Sequence, residues 1–257
     1  MYYEDTGSGT PMVLLHAFPL DSRMWDGVRA PLAERLRVIT PDQRGLGRSP
    51  LADGAADLAL VAADVVHLLD ELGLDRVVLG GLSMGGYVAM AVLASAPERV
   101  AGLALIDTRP SADAPPSAAK RLAMAARAET EGGTDWLADD VLPGLIGATT
   151  AARRPEVVAT LRELVAAQPA EGVAWAQRAM ANRPDSSDVL RAVAVPALVV
   201  HGAEDALIPP TEAAAMARLL PRGELVTLPS AGHLPAIETP AELAGVLLRW
   251  LAAARFA

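Results

Sequence analysis

The chain contains no cysteine. Disulfides, thiolate metal sites and a cysteine nucleophile are therefore excluded. Aromatic residues make up 4% of its 257 residues, so any core must be built from aliphatic side chains. Histidine is scarce as well, and imidazole chemistry is confined to His16, His67, His201 and His233. Basic charge is in deficit, with 22 Lys and Arg against 31 Asp and Glu and a formal net charge of −9. That balance repels nucleic-acid phosphates and anionic membranes. No apolar stretch approaches the roughly 20 residues of a membrane span. The opening MYYEDTGSGTP is polar and lacks the apolar segment of a secretory signal. These absences lead us to expect a cytoplasmic protein with neither a nucleic-acid nor a membrane partner.

What is present is aliphatic: 52% of the residues are hydrophobic. A chain of this length buries a large core in one domain without staples. Short β-branched runs alternate with longer helical patterns, and no internal repeat or low-complexity linker interrupts them. The runs Met12–His16, Arg37–Thr40, Arg76–Gly80, Val100–Ile106, Ala197–His201 and Glu224–Leu228 read as strands. Several are apolar throughout, as in parallel strands covered on both faces. Helical patterns fall over Asp57–Leu72, Met84–Ala94, Thr211–Leu220 and Pro240–Ala253. In the first, Leu58, Val61, Val65, Leu68, Leu69 and Leu72 form the apolar stripe. The alternation predicts an α/β fold with a mostly parallel central sheet and helices on both faces. Residues 110–191 break the rhythm with four or five helical patterns and no strand. They read as a helical cap inserted into a core made of 1–109 and 192–257.

The strongest chemical signal is Gly80-Gly81-Leu82-Ser83-Met84-Gly85-Gly86, a G-x-S-x-G motif between a strand and a helix. A nucleophile on such a sharp turn stands above the sheet, and the glycines leave room where a Cβ would meet the neighbouring strand or helix. Ser83 is the candidate nucleophile. The Met84 amide, at a helix N-terminus, is a candidate oxyanion donor. A Gly-rich turn with an incidental serine is the plainer alternative.

A serine hydroxyl needs a base. His67 lies mid-helix beside the apolar stripe and reads as structural. His201 ends a buried strand and reads as a hydrogen-bonded strand cap. His233, in Ser230-Ala231-Gly232-His233-Leu234 after the last strand, sits where α/β folds place catalytic groups. The base needs an orienting carboxylate. Asp205, after the strand ending at His201, is favoured by the order Ser…Asp…His. Its neighbour Glu204 is expected to point elsewhere in the turn, while Asp107, after Ile106, stays open as a rival. The loop His16-Ala17-Phe18-Pro19 supplies the second oxyanion candidate, the Phe18 amide.

Four segments now stand in order: His16-Ala17-Phe18-Pro19, Asp42-Gln43-Arg44-Gly45-Leu46-Gly47-Arg48-Ser49, Gly81–Gly86, and the pair Asp205 and His233. In this order they resemble the α/β-hydrolase superfamily over nearly the whole chain. The first looks like its H-G-x-P segment and the second like its D-x-R-G-x-G-x-S turn. More narrowly, the chain resembles the small esterase, enol-lactonase and cofactor-free perhydrolase group. Serine at 83 sets it apart from the similar epoxide hydrolases and haloalkane dehalogenases, which use aspartate there. It departs from the pattern at Ala17, where glycine is usual, and at Leu46, where histidine is common. Tyr2-Tyr3-Glu4 looks like the superfamily's second strand. An edge left open by a missing first strand would make a homodimer a modest expectation.

The resemblance implies a serine hydrolase that cleaves a carboxylic ester or lactone of a small, mainly apolar molecule, with no metal or cofactor. Trp25, Trp136, Leu142, Leu145, Trp175 and Met180 are candidates to line the substrate pocket, and packing explains each of them at least as well. A perhydrolase or lyase with the same triad, or a binding protein that keeps it unused, remains an alternative.

Overall fold

The structure is a computed structural model that describes residues 1–254. Its strands are β1 (Tyr3–Gly7), β2 (Thr10–Leu15), β3 (Leu36–Pro41), β4 (Val77–Leu82), β5 (Val100–Ile106), β6 (Ala197–Gly202) and β7 (Gly223–Leu228). They form one seven-stranded sheet in the order β1-β3-β2-β4-β5-β6-β7. Only β1 runs antiparallel, against β3, and every other pairing is parallel. Each strand expected from the sequence is present, with ends displaced by no more than two residues. All residues of β4 and β6 are buried, so both faces of the sheet are covered there.

The helices of the core are α1 (Asp26–Ala33), α2 (Leu58–Glu71) and α3 (Met84–Ser95), and beyond residue 209 α10 (Pro210–Leu219), α11 (Pro235–Glu238) and α12 (Pro240–Ala254). The α2 stripe packs inward as expected, apart from partly exposed Leu72. The Asp57 side chain starts this helix by accepting the Ala59 N–H at 2.8 Å. Helix α1 was not expected; it has eight residues and carries Pro31 inside it, which blurs its helical pattern. Six helices, not four or five, lie between β5 and β6: α4 (Pro115–Glu131), α5 (Leu137–Leu145), α6 (Ala148–Arg153), α7 (Pro155–Ala166), α8 (Ala170–Ala181) and α9 (Ser187–Arg191). Helices α6 and α9 are too short, at six and five residues, to show a periodic stripe. Among the described residues no helix is long and apolar enough to cross a membrane.

The chain leaves β2 for β3 on one side of the sheet, then returns to lay β4 on the other side of β2. Such a reversal opens a crevice beyond the carboxyl ends of the two strands, which is where α/β sheets hold ligands. The intervening helices close over this end. Gly172 of α8 packs directly on Gly45, and a Cβ at 172 would fall 1.7 Å from the Gly45 carbonyl oxygen. Gly172→Ala should therefore force α8 off the loop and destabilise the fold by about 1–3 kcal/mol. Thermal unfolding checks this, and an unchanged midpoint would show that the contact gives way without cost.

Candidate active site

Ser83 sits between β4 and α3 with φ 53° and ψ −111°, a conformation costly for a residue with a Cβ. Its backbone is held on both sides: the Ser83 N–H donates to Ile106 O at 2.9 Å, and the Thr108 hydroxyl donates to Ser83 O at 2.8 Å. The glycines are sterically required. A Cβ on Gly81 would lie 2.2 Å from Gly85 O, and one on Gly85 would lie 2.1 Å from Leu15 O.

Because β2 and β4 are neighbours, with Leu15 level with Gly81, the loop after β2 comes beside Ser83. That loop is fixed by His16, whose Nδ1 bonds Ala17 O at 3.0 Å and whose Nε2 accepts the Gln43 N–H at 2.8 Å. Gln43 returns a bond to His16 O at 2.7 Å. The two segments His16–Pro19 and Asp42–Ser49 are thus clipped together. Asp42 is the buried anchor of the second, accepting from the Ser22 and Arg48 amides at 2.8 Å each. Ala17, in place of glycine, is accommodated with its N–H directed at Met24 Sδ, 3.1 Å away. The Phe18 and Met84 amides, expected as oxyanion donors, make no hydrogen bond among the described residues, as is usual for the first N–H groups of a helix in the case of Met84.

His233 is buried and its Nδ1 lies 2.8 Å from Asp205 Oδ2. The other Asp205 oxygen accepts from the Leu207 and Ile208 amides at 2.7 and 3.0 Å. Asp205 is thus both a turn aspartate and the partner of the histidine. Burial pushes its carboxyl up, but the hydrogen bond and charge of His233, aided by the two amides, prevail and hold it below the ordinary carboxylate range. Glu204 points away as expected, accepting from the Thr149 amide at 2.7 Å and from its hydroxyl at 2.5 Å.

Asp107 does not bond His233. Its Oδ1 accepts the Gly202 N–H at 2.8 Å, and its buried Oδ2 has no partner. Burial drives this carboxyl well above the ordinary range; the charge of His233 opposes the shift and that of Asp205 adds to it. His201 is buried with Nδ1 3.1 Å from Asp107 Oδ1, yet neither ring nitrogen makes a hydrogen bond, so the expected strand cap is not formed. Asp107, His201 and Asp205 could together offer ligand atoms within 4.8 Å of one another. Both Asp205 oxygens are, however, already committed to His233 and to the Leu207 and Ile208 amides. His67 lies mid-helix on α2 and outside the cavity, exposed beside the apolar stripe with Nε2 3.3 Å from Glu71.

Ser83 and His233 line one cavity of about 510 Å³, together with Phe18, Tyr87, Met180 and Ile208. No hydrogen bond joins the serine to the histidine in this state, and such bonds are often long before substrate binds. Of the substrate-pocket candidates, Met180 and Leu145 reach the cavity, and four others do not. Trp25 is fully buried in the core. Trp136 donates to Gly133 O and stacks under Arg127, and Trp175 donates to Gly54 O. Leu142 is buried among the helices, while Val141, Gly144 and Leu145 show the other face of α5 to the cavity. Helical spacing marks such residues as buried but does not tell packing from lining. The sequence reading missed Tyr87, Arg109, Arg121 and Gln177. For Arg109 a signal existed, since it follows the carboxyl end of β5 by three residues.

The alpha/beta hydrolase fold family model matches residues 10–240. A dihydrolipoyllysine-residue acetyltransferase component of an acetoin cleaving system from Pseudomonas putida is 33% identical across 95% of this chain, which spans 64% of that protein's length. The thermophilic esterase of Thermogutta terrifontis superposes with a TM-score of 0.95 at 43% identity, over 98% of this chain and 93% of the esterase. The enol-lactonase of Burkholderia xenovorans LB400 gives a TM-score of 0.89 at 29% identity, over 98% and 96% of the two chains.

Burial lowers the pKa of His16 below its ordinary 6.5. The unfolded chain therefore takes up a proton that the folded chain resists, and stability from this source is complete above about pH 6.5 and declines below it. The slope approaches about 1.4 kcal/mol per pH unit. Unfolding midpoints measured from pH 8 down to 5 should fall more steeply for the wild type than for His16→Gln. Parallel curves would remove His16 from the account.

Proposed function

The chain belongs to the alpha/beta hydrolase fold family, and from that premise we propose that it is a serine hydrolase acting on a carboxylic ester or lactone through Ser83, His233 and Asp205. The observation that carries this reading is the bond of 2.8 Å between Asp205 and His233, made inside the cavity wall that Ser83 shares. Similarity to an esterase and an enol-lactonase supports the substrate class.

In this reading Asp205 accepts a hydrogen bond from the Nδ1–H of His233, which keeps the proton on that nitrogen and leaves Nε2 free as the base. His233 takes the Ser83 proton as Oγ attacks the carbonyl carbon. The Phe18 and Met84 amides receive the tetrahedral oxyanion, each worth about 3–4 kcal/mol of the barrier. His233 then protonates the departing alcohol oxygen, and water, activated by the same ring, releases the acid from the acyl-enzyme. The carboxyl of Asp205 is held below the ordinary range while burial pushes that of Asp107 up, which suits the first for steadying an imidazolium. Leu145, Met180, Leu207 and Ile208 give the cavity an apolar wall for the acyl or alkyl group, and the helices 110–191 act as its cap.

A panel of p-nitrophenyl esters tests the reading. Wild type should turn over continuously and Ser83→Ala should not. Asp205→Asn should lower kcat by about 10³–10⁴-fold, while Asp107→Asn should lower it less than about 10-fold. A larger loss in Asp107→Asn would make that residue the triad acid. Turnover that survives in Ser83→Ala, or that requires peroxide, would overturn ester hydrolysis as the reaction.

A further inference from the structure

We propose that the cavity contains an anion subsite formed by Arg109 and Arg121, and that the ester or lactone carries a carboxylate which this subsite binds. The inference deepens the hydrolase reading and rests on it for the identity of the ligand as substrate.

The argument begins at Asp113, a carboxylate whose side chain is wholly buried. Three guanidiniums converge on it: Arg109 at 2.9 Å, Arg121 at 2.5 Å and Arg183 at 3.0 Å. Burial alone would raise this carboxyl, but Arg183 and Arg121 outweigh it and hold it at about 2. It therefore stays ionised, yet one negative charge faces three positive ones. Lys120, beside Arg121 on α4, makes no ion pair or hydrogen bond among the described residues and lines the same cavity. The carboxylate of Asp140 also lines it and is engaged by Arg127 at 2.9 Å. Glu212 acts on Arg109 only through space. The wall thus holds a surplus of positive charge in a chain whose net charge is −9.

Uncompensated cations at a partly desolvated wall are costly unless something answers them. Arg183 has an answer through its two terminal nitrogens, since its guanidinium stacks 4.0 Å from the Tyr87 ring centre and donates to the Met180 and Ser111 carbonyls, although its Nε, like that of Arg109, is buried without a partner. Arg109 does not. It spends Nη2 on Asp113, and its Nε is buried without any partner. Arg121 spends Nε on Asp113 and Nη1 on Gln177 at 3.1 Å, which leaves Nη2 unused among the described residues. Both side chains are 22% exposed and line the cavity that holds Ser83 and His233. Guanidinium donors fixed by a shared carboxylate, with further N–H groups unspent, suit the planar, bidentate geometry of a ligand carboxylate. In a chain with a net charge of −9, such local positive charge favours the entry of an anionic ligand.

The test uses the full chain and separates binding from turnover. Ser83→Ala is titrated calorimetrically with monomethyl glutarate and with methyl valerate, a neutral ester of matching length. The half-ester should bind about 10- to 100-fold more tightly. Arg121→Gln in the same background should remove most of that preference, and Arg121→Lys should keep part of it. Asp113 remains held by two arginines in these variants, and Arg109→Gln provides a second route should either fail to fold. Raising the salt from about 0.05 to about 0.5 M should weaken the half-ester selectively. Equal binding of the two esters, or a preference indifferent to Arg121, Arg109 and salt, overturns the subsite. Turnover is then followed in the unsubstituted active site. Neutral esters cleaved as fast as half-esters overturn the subsite and leave the hydrolase standing. Selective binding of the half-ester with no turnover keeps the subsite and overturns the hydrolase reading.

Discussion

The site depends on one strained residue. Ser83 occupies a backbone region that costs on the order of 1–3 kcal/mol, and the surrounding contacts leave it nowhere else to go. Gly85 presses against the end of β2 and Gly81 against the first turn of α3, both at distances that no Cβ would tolerate. Ile106 and Thr108, at the end of β5, hold the Ser83 amide and carbonyl. The strain is thus locked by three consecutive strands of the sheet, β2, β4 and β5. The same contacts bring the loops after those strands to one place. Phe18, Ser83 and Arg109 share a cavity because the turn that lifts Ser83 can form only where its neighbours approach this closely.

Polar burial does the rest of the positioning. His16, Asp42 and Asp205 are each deeply buried, and each has its hydrogen-bonding capacity filled by backbone amides or by one another's loops. Filled networks of this kind fix loop geometry, since any displacement strands a desolvated group. Asp107, like its neighbour His201, is not filled in this way, and the contrast with Asp205 is informative. Two carboxyls this close cannot both stay charged at low cost. The one that accepts three hydrogen bonds, Asp205, keeps its charge, while the one with an orphaned oxygen is driven toward the neutral form. Position in the turn after β6, with the Leu207 and Ile208 amides at hand, is what separates them.

The sequence made the sheet and Ser83 legible because their signals are local. Apolar runs of strand length announce β4 and β6, and glycines flanking a serine announce the turn. The pairing of Asp205 with His233 was legible only through chain order, since nothing in the residues themselves favours Asp205 over Asp107. That choice is made by the tilt of a turn and by two amides, neither of which has a compositional mark. The cap was the least legible part. Trp136 and Trp175 are large and apolar and invite a binding role, yet each is occupied by a carbonyl of its own neighbourhood. Arg121 and Gln177 do face the cavity, but they come from helices α4 and α8, and a single amphipathic stripe cannot say which of its polar residues will look inward once two helices pack. Helix α1 was hidden for a different reason: a proline inside a two-turn helix erases the pattern that would reveal it.

The cap is attached to the core asymmetrically. Around α6 it is tied down by two core carboxylates and a core carbonyl: the Gly147 amide donates to the Glu238 side chain at 2.8 Å, Thr149 donates to Glu204, and the Arg154 guanidinium donates to the Glu238 backbone carbonyl. At the junction of α7 and α8, Gln168 bonds Asp21 at 2.9 Å and accepts the Gly47 N–H, also at 2.9 Å. Helix α4 has no such ties; its packing is onto α8, supplemented by Arg121 reaching Asp113. The wall made by α4 is therefore held chiefly through α8 and not by the bonds that fix Ser83, His233 and their loops. Of its cations that line the cavity, Lys120 makes no ion pair or hydrogen bond among the described residues, and Arg121, which holds Asp113 and Gln177, keeps Nη2 unspent. In the proposed carboxylate subsite, these cations would read charge on the ligand, while the helices tied to the core keep the reacting groups in place.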